Sequence, residues 1–225
     1  MQYMLAPIED ITTAFFRTKC FKNGADLTFT PMARFSALAR NSRASLERIK
    51  LVDDTPTMIQ LIGTKEKELL KFLSKFKSSK GFKGFNLNLG CPSSNYVNQG
   101  AGCAMIKRIS KVRKIVSILK NYPVSIKLRL GLNKFEKDKK VYLNLINSVD
   151  ADFFIVHARH GSESYDDKAD WNVFSECVDT DKKIVANGDI KNKKDVSLLK
   201  SYGCYGVMIG RAAIDNPKIF SMLKK

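Results

Sequence analysis

The chain has 225 residues, 44% hydrophobic content and a formal net charge of +17, from 39 Lys+Arg against 22 Asp+Glu. That length suits a single domain over 1–225 with a sizeable core, and no apolar run approaches the roughly 18–20 residues of a membrane span. Five scattered cysteines without a C-x-x-C pair, and just two histidines (His157 and His160), argue against a disulfide framework and against a metal centre.

In chain order, short apolar runs of strand type alternate with amphipathic stretches. Strands are predicted at 2–7, 27–32, 57–63, 85–90, 124–131, 152–159, 183–190 and 206–212. Helices are predicted between and after them, at about 11–22, 34–49, 65–77, 104–120, 136–149, 171–178, 191–202 and 214–224. In TKEKELLKFLSKF, Leu69, Leu70, Leu73 and Phe76 recur at helical spacing, with lysines on the other face. Eight strand–helix units in this length predict an α/β fold, a (β/α)8 TIM barrel. An open doubly wound sheet is the runner-up, weakened because no G-x-G-x-x-G turn follows the first strand. Nothing at the start looks like a signal peptide, so a cytoplasmic protein is expected, a monomer not associated with membranes.

The basic surplus favours a polyanion such as RNA, because cations that meet phosphates release condensed counterions. RNSRASLERIK (40–50), KSSKGFK (77–83), KRISKVRK (107–114), NKFEKDKK (133–140) and KNKK (191–194) are dispersed patches, which suits a folded basic surface rather than a disordered arm. Solvated helix faces are the plain alternative reading of the same lysines.

In such a barrel the carboxyl ends of the strands carry the chemistry, and here they are polar: Gln60, Asn88, Cys91, Lys127, Arg129, His157, Arg159, Asn187 and Asp189. A lysine in VSIKLRL and a histidine in FIVHAR need partners to offset their desolvation, so a bound polar ligand is expected. Arg129 and Arg159 lie two residues beyond Lys127 and His157 and share their side of the sheet, suited to phosphate or an anionic substrate, or to a solvated rim. NGDI (187–190) and IGRA (209–212) end the last two strands, where barrels often bind phosphate. Gly210 would allow close backbone approach and Arg211 would supply a planar cation. Cys91 sits between Gly90 and Pro92 at a sharp strand exit. A thiol there suits a nucleophile paired with His157 or His160, or a proton donor, and spacing does not decide between them.

Several blocks, in order, resemble the tRNA-dihydrouridine synthases. They are LAPIEDITTAFFR (5–17), GADLTFTPM (24–32), MIQLIG (58–63), FNLNLGCPSSNYVNQGAGCAMIK (85–107), VSIKLRLG (124–131), VHARHGSESYDDKADW (156–171), VANGDI (185–190) and GVMIGRAAIDNPKIF (206–220). The resemblance implies an FMN-dependent enzyme that uses NADPH or NADH to reduce the C5–C6 bond of specific uridines in tRNA. It implies that Pro7, Ile8, Glu9, Gln60, Lys127 and His157 hold the flavin ring and ribityl chain. Asn187, Gly188, Asp189, Gly210 and Arg211 would hold the phosphate. Cys91 would protonate C5 as a neutral thiol while hydride reaches C6, with Asn88 helping to fix the base and Arg129 and Arg159 facing the tRNA. Ile8, Thr13 and Pro31 depart from the methionine, aspartate and glutamate usual in the family. The helical tRNA-binding domain that commonly follows the barrel is expected to be absent or truncated. Two other readings are a flavin-dependent reductase of a free pyrimidine and a non-catalytic tRNA-binding barrel.

Overall fold

The computed structural model of the chain describes residues 1–224. Nine strands form: β1 (Gln2–Leu5), β2 (Thr28–Phe29), β3 (Ala33–Arg34), β4 (Thr57–Ile62), β5 (Phe82–Leu89), β6 (Val124–Arg129), β7 (Phe153–His157), β8 (Ile184–Asn187) and β9 (Gly206–Ile209). All pair in parallel in the order β1-β9-β8-β7-β6-β5-β4-β2, with the short β3 also on β4. The ring closes where Met4 bridges Leu27, supported by Leu5 N–H donating to the Leu27 carbonyl at 2.9 Å and Asp26 N–H to the Tyr3 carbonyl at 2.7 Å. The predicted α/β barrel is therefore the fold.

Strand alternation builds two layers inside the ring. Met4, Phe29, Met58, Ile155, Val185 and Met208 form an apolar plug, each 2% exposed or less. Two residues further along their strands stand Ala6, Gln60, His157 and Asn187, so the interior turns polar as the strands approach their carboxyl ends. The opposite parity (Leu61, Leu87, Leu128, Val156, Ala186 and Val207) packs outward in the core shared with the helices. One strand pattern thus yields a filled base and a polar mouth.

The local structure differs from the sequence reading in several places: the strand predicted at 27–32 is the two-residue β2, and the helix predicted at 214–224 runs as Arg211–Asp215 and Ile219–Lys224. The predicted helices at 34–49 and 136–149 are each two helices: Phe35–Ala39 with Arg43–Arg48, and Lys134–Asp138 with Val141–Ser148. The breaks fall at Asn41 and Lys140, whose φ values of 55° and 51° are left-handed and end a helical run. The strand predicted at 85–90 begins at Phe82, because pairing advances from Thr57↔Phe82 to Ile59↔Phe85 and inserts an extra residue in β5. Gly84 (φ 117°) occupies that bulge against the Pro123 carbonyl, where a Cβ would overlap. Thr13 meanwhile caps the helix Ala14–Lys22, its hydroxyl accepting from Phe16 N–H at 3.3 Å, so the shorter side chain performs the capping that an aspartate would.

Candidate active site

The mouth is organised by a chain of amides across β4, β5 and β6. Gln60 Nε2 donates to Asn86 Oδ1 at 2.6 Å, and Asn86 Nδ2 donates to Ser125 Oγ at 2.8 Å. Gln60 Oε1 accepts from Asn88 Nδ2 at 2.9 Å. Asn88 then shapes the exit of β5: its Oδ1 accepts from the backbone N–H groups of Gly90 (3.0 Å) and Cys91 (2.9 Å). Buried amides joined this way have few alternative arrangements, so the turn presenting Cys91 is held from below. Asn88 acts here on the cysteine's backbone, with its remaining contact, to Met32 Sδ, at 3.6 Å.

The loop returns to the cysteine through Cys103 N–H, which donates to the Cys91 carbonyl at 3.0 Å. Gly102 has φ 57°, and a Cβ there would overlap that same carbonyl. This glycine is required for close approach. Gly102→Ala should cost about 1–3 kcal/mol from strain at a left-handed position, seen as a lower denaturant midpoint. An unchanged midpoint would contradict the fit.

The opposite wall carries cations. Lys127 is half-buried in β6, and its ammonium has no hydrogen-bond or ion-pair partner among the described residues. Burial, then the charge of Arg129, push its pKa down to about 8. His157 is 6% exposed; burial and the surrounding Lys127, Arg129, Arg159 and Arg211 push its pKa far below the ordinary histidine value. Arg159 Nη1 lies 3.1 Å from His157 Nε2. A guanidinium only donates, so Nε2 accepts and the neutral ring carries its proton on Nδ1. Gly188 (φ 118°) packs on this imidazole, where a Cβ would come 3.1 Å from Cδ2.

Arg159 is 1% exposed, and its guanidinium also donates to the Asp167 carbonyl (2.7 and 2.5 Å) and to Asp189 Oδ2 (2.6 Å). Arg129 is 5% exposed and donates to the carbonyls of His160 (2.7 Å) and Glu163 (3.1 Å). These two arginines therefore pin the loop after β7 from within, and neither is displayed on an outer surface. Asp189 bridges Arg159 to Arg211, whose Nη2 lies 2.7 Å from Oδ1. Burial raises the Asp189 pKa, but hydrogen bonds from Arg159 and Ala169 and the charges of both arginines outweigh it and hold the carboxyl below its usual range. Arg159→Ala should cost about 2–4 kcal/mol, because it removes a buried guanidinium that serves the Asp167 carbonyl and one oxygen of Asp189, leaving that carboxylate to Arg211 and Ala169 N–H. A chemical denaturation curve reads this, and a loss below 1 kcal/mol would overturn the pinning role.

Every residue expected at the site lines one of two adjoining cavities. One, of about 310 Å³, takes Pro7, Ile8, Glu9, Gln60, Asn88, Cys91, Lys127, Arg129 and His157. The other, of about 200 Å³, takes Pro7, Ile8, Lys127, His157, Arg159, Asn187, Gly188, Asp189, Gly210 and Arg211. Glu9 is exposed and pairs with Arg48. Tyr165 and Met32 also line these walls and escaped sequence reasoning, and Pro92 lines them beside Cys91. Tyr165 bounds both cavities, stacking on His157 with centroids 6.3 Å apart and lying 4.6 Å under the Arg211 guanidinium. Its place in HGSESYDDKADW was the available signal. A larger cavity of about 680 Å³ lies at the far end of the barrel, around Arg113, Tyr122 and Asp152, away from the polar layer. Among the described residues no helix is long and apolar enough to cross a membrane, and no group of three metal-ligating side chains converges.

The family described as Dihydrouridine synthase (Dus) matches residues 4–225. A protein named "Probable tRNA-dihydrouridine synthase" from Rickettsia conorii is 30% identical over 98% of this chain and 68% of its own length. The tRNA-dihydrouridine synthase B of Pseudomonas putida is 28% identical over 96% of this chain and 66% of its own. Among solved structures, mandelate oxidase with benzoyl-formic acid superposes with a TM-score of 0.61 at 12% identity, covering 100% of this chain and 70% of that one. N-(5'-phosphoribosyl)anthranilate isomerase from Pyrococcus furiosus gives 0.56 at 14% identity, covering 99% and 96%. At such identities these two likenesses speak for the barrel alone.

Proposed function

The chain belongs to the dihydrouridine synthase family, and from that premise we propose that it reduces the C5–C6 double bond of uridines in tRNA, using FMN and a nicotinamide reductant. The observation that carries this reading is that Cys91, on the exit of β5, shares one cavity with the Lys127 ammonium and the neutral His157 ring. A proton donor thereby faces hydrogen-bond donors that suit a ring edged with carbonyl oxygens and nitrogens.

The residues fit FMN on the chemistry of their donors. Among the described residues Lys127 is a cation without a partner and His157 Nδ1–H makes no hydrogen bond, while both border the two cavities. A Cβ at Gly210 would extend toward Ala6 and Ile8 at 3.6 and 3.8 Å, space that the glycine leaves open beside Arg211. In this reading Lys127, His157, Gln60, Pro7 and Ile8 hold the ring and ribityl chain, and Asn187, Gly188, Asp189, Gly210 and Arg211 the phosphate end. Bound there, FMN supplies the hydride that ends on C6 of the uracil.

The remaining work falls to the chain. The Cys91 thiol gives its proton to C5, and Asn88 keeps the thiol's backbone in register through the two N–H bonds it accepts. Arg129 and Arg159 hold the β7 loop so that Tyr165 covers the phosphate end. The basic surface attracts tRNA, whose target base must leave its stack to reach the mouth. Residues 1–225 act as one catalytic domain in this account. Incubating the protein with FMN, NADPH and an unmodified tRNA transcript should yield dihydrouridine, quantified after nuclease digestion. Turnover of free pyrimidines with none on tRNA would favour the alternative reductase, and tRNA binding without FMN binding would favour the non-catalytic barrel.

A further inference from the structure

Beside the mouth lies a separate polar hollow of about 220 Å³. Its walls come from the start of the helix after β3, the exit of β4 and the short helix Ser94–Val97 that follows Cys91. Arg34, Arg40, Lys65 and Tyr96 face it, with Glu68 as the one carboxylate. Glu68 lies 3.8 Å from Lys65. Arg34 and Arg40 form no ion pair among the described residues, so two guanidinium charges are left uncompensated. Arg34 is set in place by Tyr96: its guanidinium stacks 4.6 Å from the ring centroid and its Nε donates to the phenol oxygen at 3.1 Å. That leaves both terminal nitrogens of Arg34 to donate elsewhere.

Like charges gathered around a concave surface repel one another unless an anion lies between them, and a planar fork of N–H donors matches a phosphate. The position of the hollow narrows the source of that phosphate. Met32 lines the mouth and Arg34 lines the hollow, two residues apart on one segment. Cys91 and Pro92 line the mouth, and Tyr96 reaches the hollow from the next helix. The mouth and the hollow thus share two chain segments, which suits an anion on the same strand as a base held against Cys91.

We propose that Arg34 and Arg40, assisted by Lys65, bind a backbone phosphate of the RNA strand adjacent to the uridine that enters the mouth. The inference rests on the tRNA reading above and adds to it a specific contact. Arg34 and Tyr96 then form a rigid post between the RNA backbone and the loop that carries the cysteine.

The test uses the full chain with bound FMN and a fluorescein-labelled, unmodified tRNA transcript, titrated across a range of KCl concentrations. Loss of one phosphate contact should flatten the plot of log affinity against log salt by about 0.7–0.9, and Arg34→Gln/Arg40→Gln should weaken binding by about ten- to a hundredfold at moderate salt. Arg34→Lys/Arg40→Lys keeps the charge and should recover most of the slope. Lys22→Gln/Lys120→Gln removes the same charge at helix ends on the far side of the barrel and should leave the slope unchanged. Flavin absorbance and melting temperature report whether each variant is folded. If the Arg34/Arg40 variant keeps the wild-type slope, or the far-side variant loses as much, the proposal is overturned. A raised KM for NADPH with an unchanged RNA slope would assign the hollow to the nicotinamide nucleotide's phosphate and equally overturn it. A wild-type protein that neither binds nor modifies the transcript would instead sink the tRNA reading itself.

Discussion

Cys91→Ala is expected to slow dihydrouridine formation by about 10²–10⁴-fold, the usual contribution of a positioned general acid, while flavin stays bound. The split follows from where the residue stands. Cys91 lines the cavity on the β5 side, whereas the smaller cavity around Asn187, Gly188 and Arg211 excludes it. Removing one Sγ therefore leaves the proposed phosphate-end contacts intact. The alanine also keeps the backbone N–H that Asn88 Oδ1 accepts, so the turn should hold its shape. Single-turnover measurement with pre-reduced enzyme isolates the proton-transfer step from cofactor reduction by NADPH. Retention of the wild-type single-turnover rate would remove Cys91 from the chemistry. Loss of flavin along with activity would show instead that the β5 exit is needed to build the site.

Lys127→Met should weaken FMN binding by about ten- to a hundredfold, because a charged hydrogen bond in a desolvated wall is worth about 1.5–3 kcal/mol and Lys127 has no other partner among the described residues. Its pKa supplies a second test with a defined sign. Burial and Arg129 hold the ammonium at about 8, against about 10.4 in an unfolded chain. Between those two values the unfolded state binds more protons than the folded one, so the stability of the FMN-free protein should rise with pH across that window. FMN affinity should run the opposite way. A ligand that pairs with the ammonium favours its charged form, so affinity is level below about pH 8 and falls by up to about tenfold per unit above it. Flavin fluorescence quenching between pH 7 and 9.5 measures this, and the opposed stability trend separates it from alkaline unfolding. A flat profile in the wild type would exclude Lys127 from the cofactor contacts.

Much of the barrel was legible because strand and helix periodicities differ and the chain keeps them apart. Alternation in VSIKLRL and FIVHAR put Lys127 with Arg129 and His157 with Arg159 on one face each, and β6 and β7 do align Arg129 beside His157. The breaks in the helices predicted at 34–49 and 136–149 were not legible, since a single left-handed residue at Asn41 or Lys140 leaves the surrounding apolar spacing unchanged. Nor was the packing reason for Gly100 and Gly102 legible: a Cβ at Gly100 would overlap the Arg108 guanidinium, and one at Gly102 the Cys91 carbonyl.

By itself the sequence determined the fold class, the family resemblance and the set of polar side chains that gather at one end of the barrel. Those follow from residue type and spacing, which act locally along the strand. Only the tertiary structure decided what each polar group faces. Asn88 supports the cysteine turn, Arg129 and Arg159 are buried against the loop after β7, Tyr165 joins the wall, and Lys127 stands unpartnered among the described residues. Each partner is set by two groups meeting within about 3 Å, and for Asn88 with Gln60, Arg129 with His160 and Arg159 with Asp189 those groups lie about thirty residues apart, a meeting that no spacing along the chain encodes.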